Sequence, residues 1–163
     1  MSDFYTEQLV KRKTPMSSIL LGVLLVLVTI ASVRLIFMFP FAIIVPVVLI
    51  AVDVFVFKCM NVEYEYLYVN GSLDIDKIMS KSRRKKIMEM EIADLEVMAP
   101  KGAAELRQYQ SVKAKNYSSR TSDDNVYEMV ISRRGVKERI IFEPNDVIVD
   151  GMKMLAPRKV FVK

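Results

Sequence analysis

Hydrophobic positions in this chain follow two rhythms. Between residues 16 and 60 they run almost without interruption, and beyond residue 61 they alternate with charged ones. The first run contains "ILLGVLLVLVTIASV" (19–33), with eleven Leu, Ile or Val in fifteen positions. Together these favour insertion into a bilayer by about 3–6 kcal/mol. Arg34 would cost about 2.5–3.5 kcal/mol at the bilayer centre, but it lies near the helix end, where its long stem can snorkel. "MFPFA" (38–42) then breaks the run, because Pro40 lacks an amide hydrogen and biases Phe39 away from helical angles. The next stretch, "FAIIVPVVLIAVDVFVFKCM" (41–60), makes about 30 Å of helix, enough for a second crossing. The pattern predicts a transmembrane helical hairpin. A signal peptide, the rival reading, lacks a small-residue cleavage site and would not be followed by a second span.

Beyond residue 61 the period drops to two. "VEYEYLYV" (62–69), "LDIDKIM" (73–79), "KKIMEMEI" (85–92), "LEVMA" (95–99), "VYEMVISR" (126–133) and "VKERIIFE" (136–143) read as short strands separated by turn-forming residues. "PNDVIVDGMKMLAP" (144–157) reads as a helix capped by Asn145, with Ile148, Met152 and Leu155 on one face and Gly151 permitting close approach to a sheet. The expected class is α+β: the hairpin, then a small antiparallel β domain with a C-terminal helix. The segments are a basic N-terminal stretch (1–15), the hairpin (16–60) and the β domain (61–163). In the first β-hairpin, pairing Val69 with Leu73 sets Leu67 beside Ile75 and Glu65 beside Lys77, with a glycine turn able to shift this by one position. On that register Tyr64, Tyr66 and Tyr68 share a face with Asp74 and Asp76. Such a stripe is either a partner-binding face or ordinary sheet packing.

Charge orients the hairpin. Lys11, Arg12 and Lys13 precede the first span, and Lys58 and "KSRRKK" (81–86) follow the second. The positive-inside rule then puts both termini in the cytoplasm of a multi-pass protein of the cell membrane. Lys81, Arg83, Arg84, Lys85 and Lys86 are the candidate contacts for anionic lipid headgroups, each worth about 1 kcal/mol near an anionic leaflet. The competing reading of the cluster is a solvated turn that enforces topology. Nucleic acid is not an expected partner, because a net charge of +3 over residues 61–163 is thin for a basic binding face.

The inventory excludes much chemistry. There is no histidine, and Cys59 is the single cysteine, so no histidine-based triad, histidine metal site or intrachain disulfide can form. The five glycines are not clustered into a phosphate loop. No catalytic residue, metal or cofactor is expected. Asp53, within the second span, is read as an interfacial carboxylate, either hydrated or bonded to a neighbouring helix, where Thr29 lies at a suitable depth, rather than as a proton site. Its pairing with Arg34 is disfavoured, since their depths differ by about 10 Å.

The segments "NVEYEYLYVNGSLDIDKI" (61–78), "KSRRKK" (81–86), "NYSS" (116–119), "IIFEPN" (140–145) and "MLAPRKVF" (154–161) carry a resemblance over nearly the whole chain. It resembles an uncharacterised bacterial family of short membrane proteins with two spans and a compact domain. That resemblance implies architecture only. Element order, many short strands closed by a helix, is that of a pleckstrin-homology-like (PH-like) sheet or partial barrel. The functional expectation is a non-enzymatic, membrane-anchored cytoplasmic interaction module whose partner is an unidentified membrane or cytoplasmic protein. The alternative is an accessory subunit of a transporter or channel complex.

Overall fold

The computed structural model describes residues 5–162, so residues 1–4 and Lys163 of the expected segments lie outside it. The chain divides into two compact units.

One unit is the helical hairpin with its flanks. Helix α1 (Met16–Ser32) continues after a kink into α2 (Arg34–Met38), and a 3-10 turn (Pro40–Ile43) leads into α3 (Ile44–Met60). Two stretches, Met16–Met38 and Phe41–Met60, are long and apolar enough to cross a membrane. The break falls at Phe39, which is extended (φ −138°), as the following proline demands. Large apolar side chains cover the outside of the pair, with Phe37 89% and Phe41 91% exposed. Gly22 lets the helices meet, because a Cβ there would come within 3.2 Å of the Phe57 ring. Thr29, Ser32 and Asp53 are the polar groups enclosed between them. Thr29 Oγ1 donates to Asp53 Oδ2 at 2.7 Å. Arg34 is exposed and makes no ion pair among the described residues.

The other unit is the β domain, two four-stranded sheets. The first sheet runs in the order β1 (Tyr5–Lys11), β2 (Val62–Val69), β3 (Ser72–Met79), β4 (Arg83–Glu91). The second contains β5 (Leu95–Pro100), β7 (Tyr127–Arg133), β8 (Val136–Phe142) and the short β6 (Ala114–Asn116), in the order β5-β7-β8-β6. Helix α4 (Asp146–Leu155) follows. All six expected strands form, within two residues of their expected ends. Between the sheets lie Tyr66, Tyr68, Leu73, Ile75, Met90, Met98, Met129, Ile140 and Phe142, none with exposed area. Tyr66 meets Phe142 edge-on, with ring centroids 5.9 Å apart.

Residues 5–11 depart from the expected segmentation. They are not a separate basic stretch but the edge strand of the first sheet, paired antiparallel to β2 with Lys11 opposite Glu63. The β domain therefore does not begin at residue 61. The whole hairpin is an insertion between two hydrogen-bonded neighbours. Alternation does not reveal β1 because two of its three inward positions, Thr6 and Gln8, are polar, and only Val10 is a buried apolar residue. Gln8 Nε2 donates to Glu143 O at 2.8 Å, and Gln8 Oε1 accepts from Asn145 N at 2.7 Å. That one amide satisfies the backbone where β8 gives way to α4. Asn145 then caps α4 as expected, its Oδ1 accepting from Ile148 N at 3.0 Å. Gly151 sits against β2, as its lack of a side chain suggests: a Cβ there would lie 2.6 Å from the Tyr68 ring. Leu155 departs from the expected apolar face, being half exposed, while Ile148 and Met152 are fully buried.

Candidate functional site

The register of the first β-hairpin decides which of the candidate residues can meet a partner. Asn70 and Gly71 hold positive φ (46° and 97°) and alone separate β2 from β3. A two-residue loop of this kind pairs the flanking positions, so Val69 lies beside Ser72 rather than Leu73. That one-residue slip turns every side chain over. Tyr64, Tyr66 and Tyr68 join Leu73 and Ile75 in the core, 4% exposed or less, and Asp74 and Asp76 fall on the opposite face. The five residues read as one partner face are thus divided between the inside and the outside of the sheet. The tyrosines pack the core. Tyr66 Oη donates to Tyr117 O at 2.8 Å and accepts from Glu143 N at 3.2 Å, and burial pushes its hydroxyl pKa well above the ordinary tyrosine value.

The outer face of the same sheet carries the charges. Arg84 contacts Glu65 at 2.7 Å and lies 3.9 Å from Asp76, and Lys86 contacts Asp74 at 2.8 Å and Glu89 at 3.3 Å. The Asp74 hydrogen bond, with a smaller contribution from Glu89, raises the Lys86 pKa. Glu65 is therefore paired with Arg84, not with Lys77 as the expected register required. These contacts split the basic cluster. Arg84 and Lys86 are committed to cross-strand carboxylates. Lys81, Arg83 and Lys85 are exposed and make no ion pair among the described residues.

The turn before β4 is tight. Ser80 and Lys81 both adopt positive φ (52° and 57°), and Ser82 N donates to Met79 O at 3.2 Å. Residues 79–82 belong to the same compact unit as the helices. Ser80 Oγ donates to Lys58 O at 2.6 Å, and Ser80 N donates to Asn61 O at 3.0 Å. These bonds take up carbonyls at the C-terminal end of α3, which the helix itself leaves without partners. Lys81 is thereby presented beside the point where the second apolar helix ends, next in sequence to Ser80, which is bonded to Lys58 O. Sequence alone shows the charges but not this clasp, because a serine in a polar turn carries no signal of its partner.

A polar cavity of about 300 Å³ opens elsewhere in the β domain, lined by Lys101 and by the loop between β6 and β7. A second cavity of about 300 Å³ lies over Glu128 and Arg139, whose charged atoms are 3.8 Å apart. Neither was foreseen, since the first is built from "NYSSRTSDDN" (116–125), a stretch that reads only as a polar loop.

A family model matches nearly the whole chain. The model described as "Bacterial PH-like domain (DUF6106)" covers residues 2–162. The chain belongs to this family. The match begins ahead of β1, so the PH-like unit takes in both the edge strand and the inserted hairpin. No curated protein and no solved structure matches the chain.

Proposed function

We propose that this PH-like protein is a membrane-anchored interaction module. Its hairpin crosses the bilayer, both ends of the chain lie in the cytoplasm, the β domain is non-enzymatic, and Lys81, Arg83 and Lys85 are the residues that meet anionic lipid. In that position it serves to recruit or regulate a membrane partner. The observation that carries this reading is the Ser80 clasp on Lys58 O and Asn61 O. If α3 spans the bilayer, its C-terminal turn lies at the headgroup level, and a turn bonded to that end is held there too. Three cations with no ion pair among the described residues supply up to about 3 kcal/mol near such a surface, before ordering losses. A tether raises the effective concentration, so even weak contacts are populated. The enclosed Asp53–Thr29 pair supports this reading over that of a transport subunit, because one carboxylate oxygen, Oδ2, is bonded within its own hairpin, although Oδ1 has no hydrogen-bond partner among the described residues.

The test reads the depth of the turn. A single fluorophore at Ser82→Cys, in a Cys59→Ser background, is quenched by headgroup-labelled lipid in nanodiscs of neutral or anionic composition. Stronger quenching in anionic discs, reduced by salt, supports the lipid contact. Equal quenching in both compositions leaves the cluster as a topology signal.

A further inference from the structure

We propose that the cavity between Lys101 and the β6–β7 loop is a binding site for a phosphate-bearing anion. This goes beyond the lipid contact above, since the two sites share no residue. The argument starts from hydrogen-bond supply. Asn116 Oδ1 is spent twice, accepting from Ser118 N at 3.0 Å and from Ser118 Oγ at 2.8 Å. What Asn116 still offers is its NH₂ group, a pure donor. Thr121 uses its backbone N–H on Ser119 Oγ at 3.1 Å, and the hydroxyls of Thr121 and Ser122 have no hydrogen-bond partner among the described residues. Arg120 lines the same space and has no ion-pair partner among the described residues. One carboxylate lines the cavity, Asp123, and it is bound to Lys101 at 2.7 Å. Donors thus outnumber acceptors, and the unopposed charge is positive. A metal cation would be repelled. A planar carboxylate would use few of these donors, whereas a tetrahedral phosphate can accept from several directions at once.

The loop is also held in shape before any ligand arrives. Ser119 O accepts from Lys13 N at 2.8 Å, Ser119 N donates to Glu143 Oε2 at 3.1 Å, and Tyr117 N donates to Ile141 O at 2.8 Å. Arg120 has φ +61°, and among the described non-glycine residues with positive φ it is the one outside a tight hairpin turn. Left-handed backbone at such a residue is a strain that the surroundings must maintain. Fixed donors lose little entropy on binding. The volume suits a phosphate with a small substituent such as glycerol.

The ligand phosphate could come from a soluble phosphomonoester or from a lipid headgroup, and the experiment separates them. The full chain is purified in a phosphate-free maltoside detergent and titrated with inorganic phosphate and with glycerol 3-phosphate, following the ligand ³¹P resonance. The expected result is a saturable shift, weakened at least tenfold by Arg120→Gln and unaffected by Arg158→Gln. A double variant, Thr121→Val with Ser122→Ala, gives a second reading if Arg120→Gln does not fold by circular dichroism. The titration is repeated in nanodiscs of phosphatidylcholine with and without phosphatidic acid. Weaker glycerol phosphate binding with phosphatidic acid identifies the lipid source; equal binding identifies the soluble one. No saturable shift with either probe, or equal weakening by Arg158→Gln, would overturn the proposal. Because the detergent arm contains no leaflet, its failure leaves the membrane reading standing.

Discussion

Thr29 and Asp53 face each other across the helical hairpin, joined by a 2.7 Å hydrogen bond. Both are enclosed between helices whose outer surfaces are almost wholly apolar. Arg34 takes no part in this contact.

A stability consequence follows from that bond. In membranes, interhelical hydrogen bonds average about 0.6 kcal/mol and reach about 1.7 kcal/mol. Thr29→Val removes the donor while keeping the shape, and should destabilise the hairpin within that range. Asp53→Asn retains an oxygen acceptor and should cost less. Denaturation of the full chain in mixed micelles, followed by helical ellipticity, measures both. A larger loss for Asp53→Asn would mean that the charge, rather than the hydrogen bond, matters.

Gly151 and Tyr68 define the packing of α4. A Cβ at 151 would lie 2.6 Å from the ring, which no side-chain contact tolerates. Gly151→Ala must shift the helix or the buried tyrosine, costing about 1–3 kcal/mol as overpacking, despite alanine's better helix propensity. Asp150→Ala, on the exposed side of the same helix, should change the melting temperature little. Comparing the two thermal midpoints separates packing from propensity.

Most of this fold could be read along the chain, and its failures have physical reasons. Strands β2 to β4 and β8 alternate because each has one face in the core. β5 and β7 read as strands though both their faces are buried, Val97 and Val130 packing with Leu106, and Met98 and Met129 facing the main core. Strand β1 escaped notice because Thr6 and Gln8 face inward and spend their polarity on Asn145 and Glu143. β6 has three residues, too few to show a period. The tyrosine stripe was seen, but its direction hung on one residue of turn length, since Asn70 and Gly71 make a shorter loop than a Val69–Leu73 pairing assumes. Within the basic cluster, the split between paired and unpaired cations needs β3 in place, because Asp74 and Asp76 come from another strand. The clasp of Ser80 and the cavity at Arg120 are matters of tertiary position alone.

The pairing of Lys11 with Glu63 makes a structural prediction. Residues 5–12 joined to 62–162 by an Asn-Gly turn would replace the hairpin with an ordinary two-residue connection. This chain should be soluble, rich in β structure and cooperative on melting. A fragment starting at 61 leaves the edge of β2 bare and should melt lower or associate. Equal melting of the two would show that β1 contributes little.

The same soluble chain permits a pH test. Arg133 beside Asp94 holds that carboxyl below its ordinary value, and Lys137 does the same for Glu96. A carboxyl whose folded pKa lies below its unfolded one contributes stability above the unfolded value and loses it as pH falls through the folded value. Thermal midpoints of the parent and of Asp94→Asn with Glu96→Gln should therefore differ most near pH 7 and converge in acid, below about pH 4. Solvent screening keeps the gap small. A gap that widens on acidification would contradict the ion-pair account.

The split within the basic cluster gives the sharpest test of its role. Arg84 and Lys86 are bound to Glu65, Asp76, Asp74 and Glu89, while Lys81, Arg83 and Lys85 make no ion pair among the described residues. Exposed ion pairs are worth about 0.2–1 kcal/mol each, so Arg84→Gln with Lys86→Gln should lower stability modestly. It should also leave four carboxylates without counterions on that face, which repels an anionic surface. Lys81→Gln, Arg83→Gln and Lys85→Gln together should leave the melting temperature nearly unchanged and remove the direct attraction to lipid. Melting of each variant, followed by quenching at position 82 in anionic nanodiscs, gives a two-by-two outcome. The triple variant should lose quenching without losing stability, and the double variant should lose some of both. If the triple variant melts much lower while its quenching is intact, these three cations support the fold and the lipid contact is wrong.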